Sequence, residues 1–262
     1  VEDARLSASA LASALQEHAS PVRAEGHQRF FQTGEGEYGE GDVFIGVRVP
    51  DIRAVVRRFS ELPLAEVREL LASPIHEHRL AAVLVMVAQF EHASRAKTRD
   101  DRQRRLLHDA YLAATARGEV NNWDIVDSSA EVLVGRWLRD EPEPVARAQL
   151  DRLIASDDLW ERRVAMIATF AWIKAGDAEP TFRLARAVLA DDQPLMHKAA
   201  GWMLREAGKR VDRAELMVFL DANAGAMPRT MLAYATEHLP PEERARLRAI
   251  PRTDGRDAAP PG

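Results

Sequence analysis

The chain has no cysteine in its 262 residues, which excludes a disulfide framework and a zinc-thiolate site and points to a reducing cytoplasm. Long apolar runs are also missing: the longest, residues 80–88, is about half of the ~20 residues a membrane-spanning helix needs. No stretch has the form of a signal peptide. Glycine is sparse except at 34–42, which spells G-x-G-x-x-G. No strand precedes it and its four carboxylates would repel a pyrophosphate, so a mobile loop is expected there rather than a dinucleotide site. His76-Glu77-His78 offers a histidine pair, but alternate residues diverge on a helix; neither metal nor cofactor is expected. A net charge of −5 argues against indiscriminate nucleic-acid binding, although the local arrangement of Lys and Arg decides the surface potential.

What the chain has is helix-forming pattern. Leu6, Leu11 and Leu15 keep helical spacing, Pro21 opens a second segment, and from Pro50 onward short breaks of Pro, Gly, Asp and Asn separate apolar-periodic stretches. Helices are expected over 50–59, 63–72, 77–92, 99–117, 123–138, 142–155, 158–174, 179–190, 194–208, 211–222, 228–238 and 241–248. An internal repeat underlies them: the segment around Trp160-Glu161-Arg162-Arg163 aligns with that around Met196-His197-Lys198, placing Arg163 against Lys198, 35 residues on. Ala226-Met227-Pro228-Arg229 continues the series, and Glu77-His78-Arg79 begins it. Periods of this size mean stacked helical pairs, each too small to bury its own apolar face. The expected fold is an all-α solenoid of HEAT-like helical repeats with a concave DNA-binding surface, forming one domain over 1–250 and followed by a disordered tail, 251–262.

Within the repeat, Ser73, Asp157, Asp192 and Asn223 stand six residues before Arg79, Arg163, Lys198 and Arg229 and read as helix caps. Lys198 and Arg229 serve either as ties between repeats or as ligand contacts. In Asn121-Asn122-Trp123-Asp124-Ile125-Val126-Asp127, an asparagine caps a helix that carries Trp123 and Asp127 on one face. Lys198, Trp202 and Arg205 share a stripe on a later helix. In a solenoid these second helices are lateral neighbours, so one patch would hold Trp123, Asp127, Arg163, Lys198, Trp202 and Arg205. Trp137 and Trp172 read as core. Cations with indoles suit a phosphodiester chain and an unstacked nucleotide, and a carboxylate beside them suits a positive centre. No serine or histidine dyad and no phosphate loop competes with that reading.

These residues resemble a known family. Val120-Asn121-Asn122-Trp123-Asp124-Ile125-Val126-Asp127, Leu159-Trp160-Glu161-Arg162-Arg163-Val164-Ala165 and Lys198-Ala199-Ala200-Gly201-Trp202-Met203-Leu204-Arg205-Glu206 look like signature segments of the DNA alkylation repair family, the HEAT-like-repeat DNA glycosylases of the AlkD type. Phe44-Ile45-Gly46-Val47-Arg48-Val49-Pro50 is similar to its N-terminal segment. The resemblance implies excision of purines alkylated at N3 or N7 from double-stranded DNA, with Asp127 as the catalytic carboxylate, Trp123 and Trp202 as aromatic walls, and Arg163 and Arg205 on the DNA backbone. No lysine is placed for a Schiff base, so a monofunctional enzyme without lyase activity is expected, and a monomer in the bacterial cytoplasm or nucleoid is the default expectation. The acidic glycine loop departs from the shorter members. The alternatives are a non-catalytic repeat protein that binds damaged or branched DNA, and a scaffold that grips a protein helix.

Overall fold

The computed structural model describes residues 6–252, so the expected disordered tail lies almost wholly outside the described residues. The chain divides into two compact units, one through Leu133 and one from Val134. Both are helical, and their helices are paired and stacked in chain order, as in a solenoid of helical repeats. Among the described residues the extended backbone is limited to an isolated parallel bridge between Val43 and Ile75. No helix among them is long and apolar enough to cross a membrane.

The first unit holds α1 (Ala8–Gln16), α2 (Pro21–Phe30), α3 (Val49–Arg58), α4 (Leu64–Leu71), α5 (His76–Ala93), α6 (Asp101–Ala116) and α7 (Trp123–Asp127). Helix α5 is its spine and packs against α1, α3, α4, α6 and α7, which explains why its run from Leu80 to Met86 is buried on every side and carries little amphipathic signal. Helix α2 has no buried residue. It is pinned at its start, where Arg23 Nε donates to the Gly46 carbonyl at 2.8 Å and the Ser20 amide donates to the Ile45 carbonyl at 2.9 Å. Gly46 is required there, because its φ is +77° and a Cβ would lie 2.2 Å from the Ser20 oxygen.

The second unit contains α8 (Arg136–Asp140), α9 (Glu143–Ile154), α10 (Leu159–Ala168), α11 (Phe170–Lys174), α12 (Glu179–Ala187), α13 (Pro194–Arg210), α14 (Arg213–Asn223), α15 (Arg229–Ala235) and α16 (Pro241–Ala249). Second helices of successive pairs touch, α10 against α13 and α13 against α15. Their approach is close because the crossing positions are small. A Cβ on Gly135 would fall 2.2 Å from the Ala168 carbonyl, and one on Gly201 would fall 2.5 Å from the Met231 carbonyl.

Two expected helices are interrupted, for one reason. The 123–138 helix breaks after α7 and continues through a π-helical turn, Glu131–Gly135, into α8; the 158–174 helix is divided at Thr169. At each break a hydroxyl binds a carbonyl of its own helix, Ser129 Oγ on Ile125 at 2.7 Å and Thr169 Oγ1 on Met166 at 2.7 Å, in competition with the backbone ladder. The expected caps also move: Asp158, not Asp157, accepts the amides of Trp160 and Glu161, while the helices after Asp192 and Asn223 begin beyond them, at Pro194 and Arg229. Ser73 instead accepts the Ile75 amide and pairs with His78. Trp137 and Trp172 are half-buried rather than core; Trp160 is the buried one.

Gly201→Val should lower stability by roughly 2–3 kcal/mol, because the Met231 carbonyl it meets is backbone and cannot yield without moving α15. Gly26→Ala, in α2 with nothing near its Cβ, should raise stability by up to about 1 kcal/mol. Urea unfolding of the two variants beside the parent measures both.

Candidate active site

Trp123 and Asp127 lie on one face of α7 and line the same cleft, a cavity of about 700 Å³ in the first unit. Both are half-buried, so Asp127 is not locked in the interior. The floor and walls are aromatic. Phe31 stacks on Trp123 with centroids 5.4 Å apart and on Phe44 at 5.0 Å, and Phe44 stacks on His76 at 4.6 Å. Phe30, 65% exposed, meets Trp123 edge-on at 6.0 Å. Trp123 Nε1 donates to Tyr38 Oη at 3.3 Å, so the glycine-rich segment touches the indole through Tyr38. Arg48 and Arg53 stand among the lining residues; Arg48 pairs with Asp51 at 2.8 Å.

Helix α7 has five residues, too few to hold itself, and a buried polar network holds it. Asn122 caps it, accepting the Trp123 amide at 2.8 Å. Asp42, the last residue of the acidic loop, is buried and accepts from Arg79 Nη2 at 2.5 Å and from Asn122 Nδ2 at 3.1 Å. His76 bridges Asp42 and Asp124 through Nδ1 (3.1 Å) and Nε2 (2.8 Å). Burial pushes the imidazole pKa down, but its hydrogen bonds to Asp124 and Asp42 outweigh that and raise the value to about 9. His76 is therefore an imidazolium at neutral pH, with both ring N–H groups donating to carboxylates. Burial pushes Asp42 up, yet His76 and Arg79 hold it below the ordinary carboxylate range. Beneath Asp127, Tyr111 Oη and Ser129 Oγ share a 2.9 Å hydrogen bond; burial raises the phenol pKa and the Asp127 charge adds to the rise.

The remaining expected site residues fall in the second unit. Trp202 is half-buried on α13, 6.1 Å from the Phe170 ring. Arg205 binds Glu206 at 3.1 Å and also Glu237, so a phosphate would compete with two carboxylates for it. Burial pushes the Glu206 carboxyl up, but Arg210 and Arg205 hold it below its usual range. Arg163, expected on the DNA backbone, is 4% exposed and donates to the Leu195 carbonyl at 2.5 Å, tying α10 to the start of α13. Arg229 is exposed and donates to the Arg248 carbonyl at 3.1 Å, and Lys198 is exposed on the first turns of α13.

The family model for DNA alkylation repair enzymes matches residues 11–239. The chain belongs to the DNA alkylation repair enzyme family. A solved structure of a predicted DNA alkylation repair enzyme from Enterococcus faecalis superimposes with a TM-score of 0.62 at 14% identity, covering 86% of this chain and 98% of that one; at that identity the likeness carries the fold. No curated protein matches the chain.

In this alkylation repair enzyme the aromatic stack and the His76 bridge are what sequence reasoning missed. The doublet Phe30-Phe31 was visible, but its role depends on a loop whose path the sequence does not give. In the sequence His76 stands out only as half of a histidine pair, and Glu77-His78 as the start of the repeat. Each of these residues turns elsewhere: His76 to two aspartates, Glu77 to the amides of Ile45, Gly46 and Val47, and His78 to Ser73.

The raised pKa of His76 has a stability consequence. Its stabilisation is fully present below the unfolded value near 6.5 and is lost as pH rises through about 9, a loss on the order of 3 kcal/mol. Urea midpoints measured between pH 6.5 and 9.5 should fall steadily in the parent protein and much less in His76→Gln.

Proposed function

We propose that this enzyme is a monofunctional DNA glycosylase that hydrolyses the N-glycosidic bond of cationic N3- or N7-alkylated purines in duplex DNA. The observation that supports it is the meeting of Trp123 and Asp127 in one aromatic-walled cleft. An alkylated purine of this kind already carries positive charge, so its bond to C1′ is weak and its departure needs no strong acid. As that bond breaks, the base leaves neutral and positive charge gathers on the sugar. Asp127 stabilises that oxocarbenium character and orients the water whose oxygen bonds to C1′, the water's proton passing to the carboxylate or to solvent.

The electrostatic magnitude is adequate. A unit charge pair about 4 Å apart is worth roughly 4 kcal/mol at an effective dielectric near 20, or about a thousandfold in rate. That suffices for a labile cationic substrate and not for an undamaged base. Trp123 adds cation-π attraction worth about 0.5–2 kcal/mol. Arg53 at the cleft and Lys198 on α13 are the exposed cations assigned to backbone phosphates. Arg163 takes no part, since its guanidinium is committed to the fold.

Single-turnover release of 7-methylguanine or 3-methyladenine from duplex DNA tests the proposal. The parent protein should release base, and Asp127→Asn should lose about a thousandfold in rate while its DNA affinity stays within twofold. An unchanged rate in Asp127→Asn would remove the carboxylate from the mechanism. No release by the parent would leave a repair protein that acts on DNA by other means.

A further inference from the structure

Helix α7 brings two carboxylates to the cleft, Asp124 and Asp127, and the structure treats them differently. Asp124 Oδ2 is taken by His76 at 2.8 Å and its Oδ1 accepts the Ile125 amide at 2.8 Å. Its charge is thus matched inside the protein. The same imidazole reaches Asp42, whose carboxylate also holds the cap residue Asn122. Residues on both sides of Trp123 are therefore tied, through one histidine and one aspartate, to the end of the glycine-rich loop. His76 is 2% exposed, and its ring lies against Phe44 and Phe31, the rings that continue the stack under Trp123.

Resting on the glycosylase reading, we infer that His76 is a positioning residue for base excision: by donating to Asp42 and Asp124 together it holds the single turn that presents Trp123 and Asp127. A glutamine in its place donates from one side-chain nitrogen only and cannot span both carboxylates as an imidazolium does. Once the imidazolium loses its proton, one of the two links goes, and two carboxylates are left facing a neutral ring. The charged and titratable groups around it are Asp42 with Arg79, Asp124 with Asp127 beyond it, and Glu77, which faces His27 at 3.6 Å.

The test follows the emission of Trp123, taken as the difference between the parent and Trp123→Phe, alongside single-turnover release of 3-methyladenine between pH 7 and 10. In the parent, emission should change and the rate should fall together through about pH 9. His76→Gln should be about tenfold to a hundredfold slower at pH 7.5, with DNA affinity unchanged, and both its emission and its rate should be flat across that alkaline range. Asp124→Asn removes one of the two charges that favour the imidazolium, so its emission transition should move to lower pH; this variant and the parent titration decide the matter even if His76→Gln does not fold. An alkaline transition absent from the parent, unmoved in Asp124→Asn, or retained in His76→Gln would overturn the assignment. If the parent releases no base, the glycosylase reading fails by itself, while the emission titrations still report whether His76 positions Trp123.

Discussion

The buried contact between the Asp42 carboxylate and the cations of His76 and Arg79 is the constraint on which the cleft depends. Taking these charges out of water is costly, and the cost is offset only when each finds a partner in good geometry. Here they do: Asp42 accepts from His76, Arg79 and Asn122, and His76 passes the connection on to Asp124. Few arrangements of loop, α5 and α7 satisfy all of them at once. The network narrows the choices open to a turn of helix that has little reason to be helical on its own. That specificity is also what a binding cleft requires of its walls.

The cations of the second unit show the opposite economy. Most of them are occupied by their own protein: Arg163 by the Leu195 carbonyl, Arg162 by Asp191 and two carbonyls, Arg205 by Glu206 and Glu237. A repeat array exposes polar backbone at every junction between pairs, and long guanidinium side chains reach those carbonyls. A periodic arginine in such a chain therefore has a structural claim on it before any ligand does. The acidic overall charge is consistent with cations that are largely neutralised at home.

How much of this was legible beforehand divides along physical lines. Helix type and pairing were, because apolar periodicity and Pro/Gly punctuation are local. So was the shared face of Trp123 and Asp127, since four residues on a helix determine it. The breaks at Ser129 and Thr169 were not, because a hydroxyl mid-helix can equally point to solvent. Choosing between Arg162 and Arg163 as the tie at a junction requires the rotation of α10 about its axis, which neighbouring residues leave ambiguous. The His76 bridge was least legible of all: it joins positions 42, 76 and 124, and nothing in the intervening sequence announces that they meet.

One recurrent detail has a bearing on how such a chain reaches its fold. Arg79, Arg162 and His197 each bind the carbonyl six residues earlier, on Ser73, Ser156 and Asp191. Rings of so few residues close quickly and at small entropic cost. These three helices, α5, α10 and α13, thus have their entry turns fastened within one short segment, ahead of any neighbour. A nascent chain emerging repeat by repeat would carry these three corners preformed, and there the stacking of apolar faces would have to wait for the next pair to be synthesised.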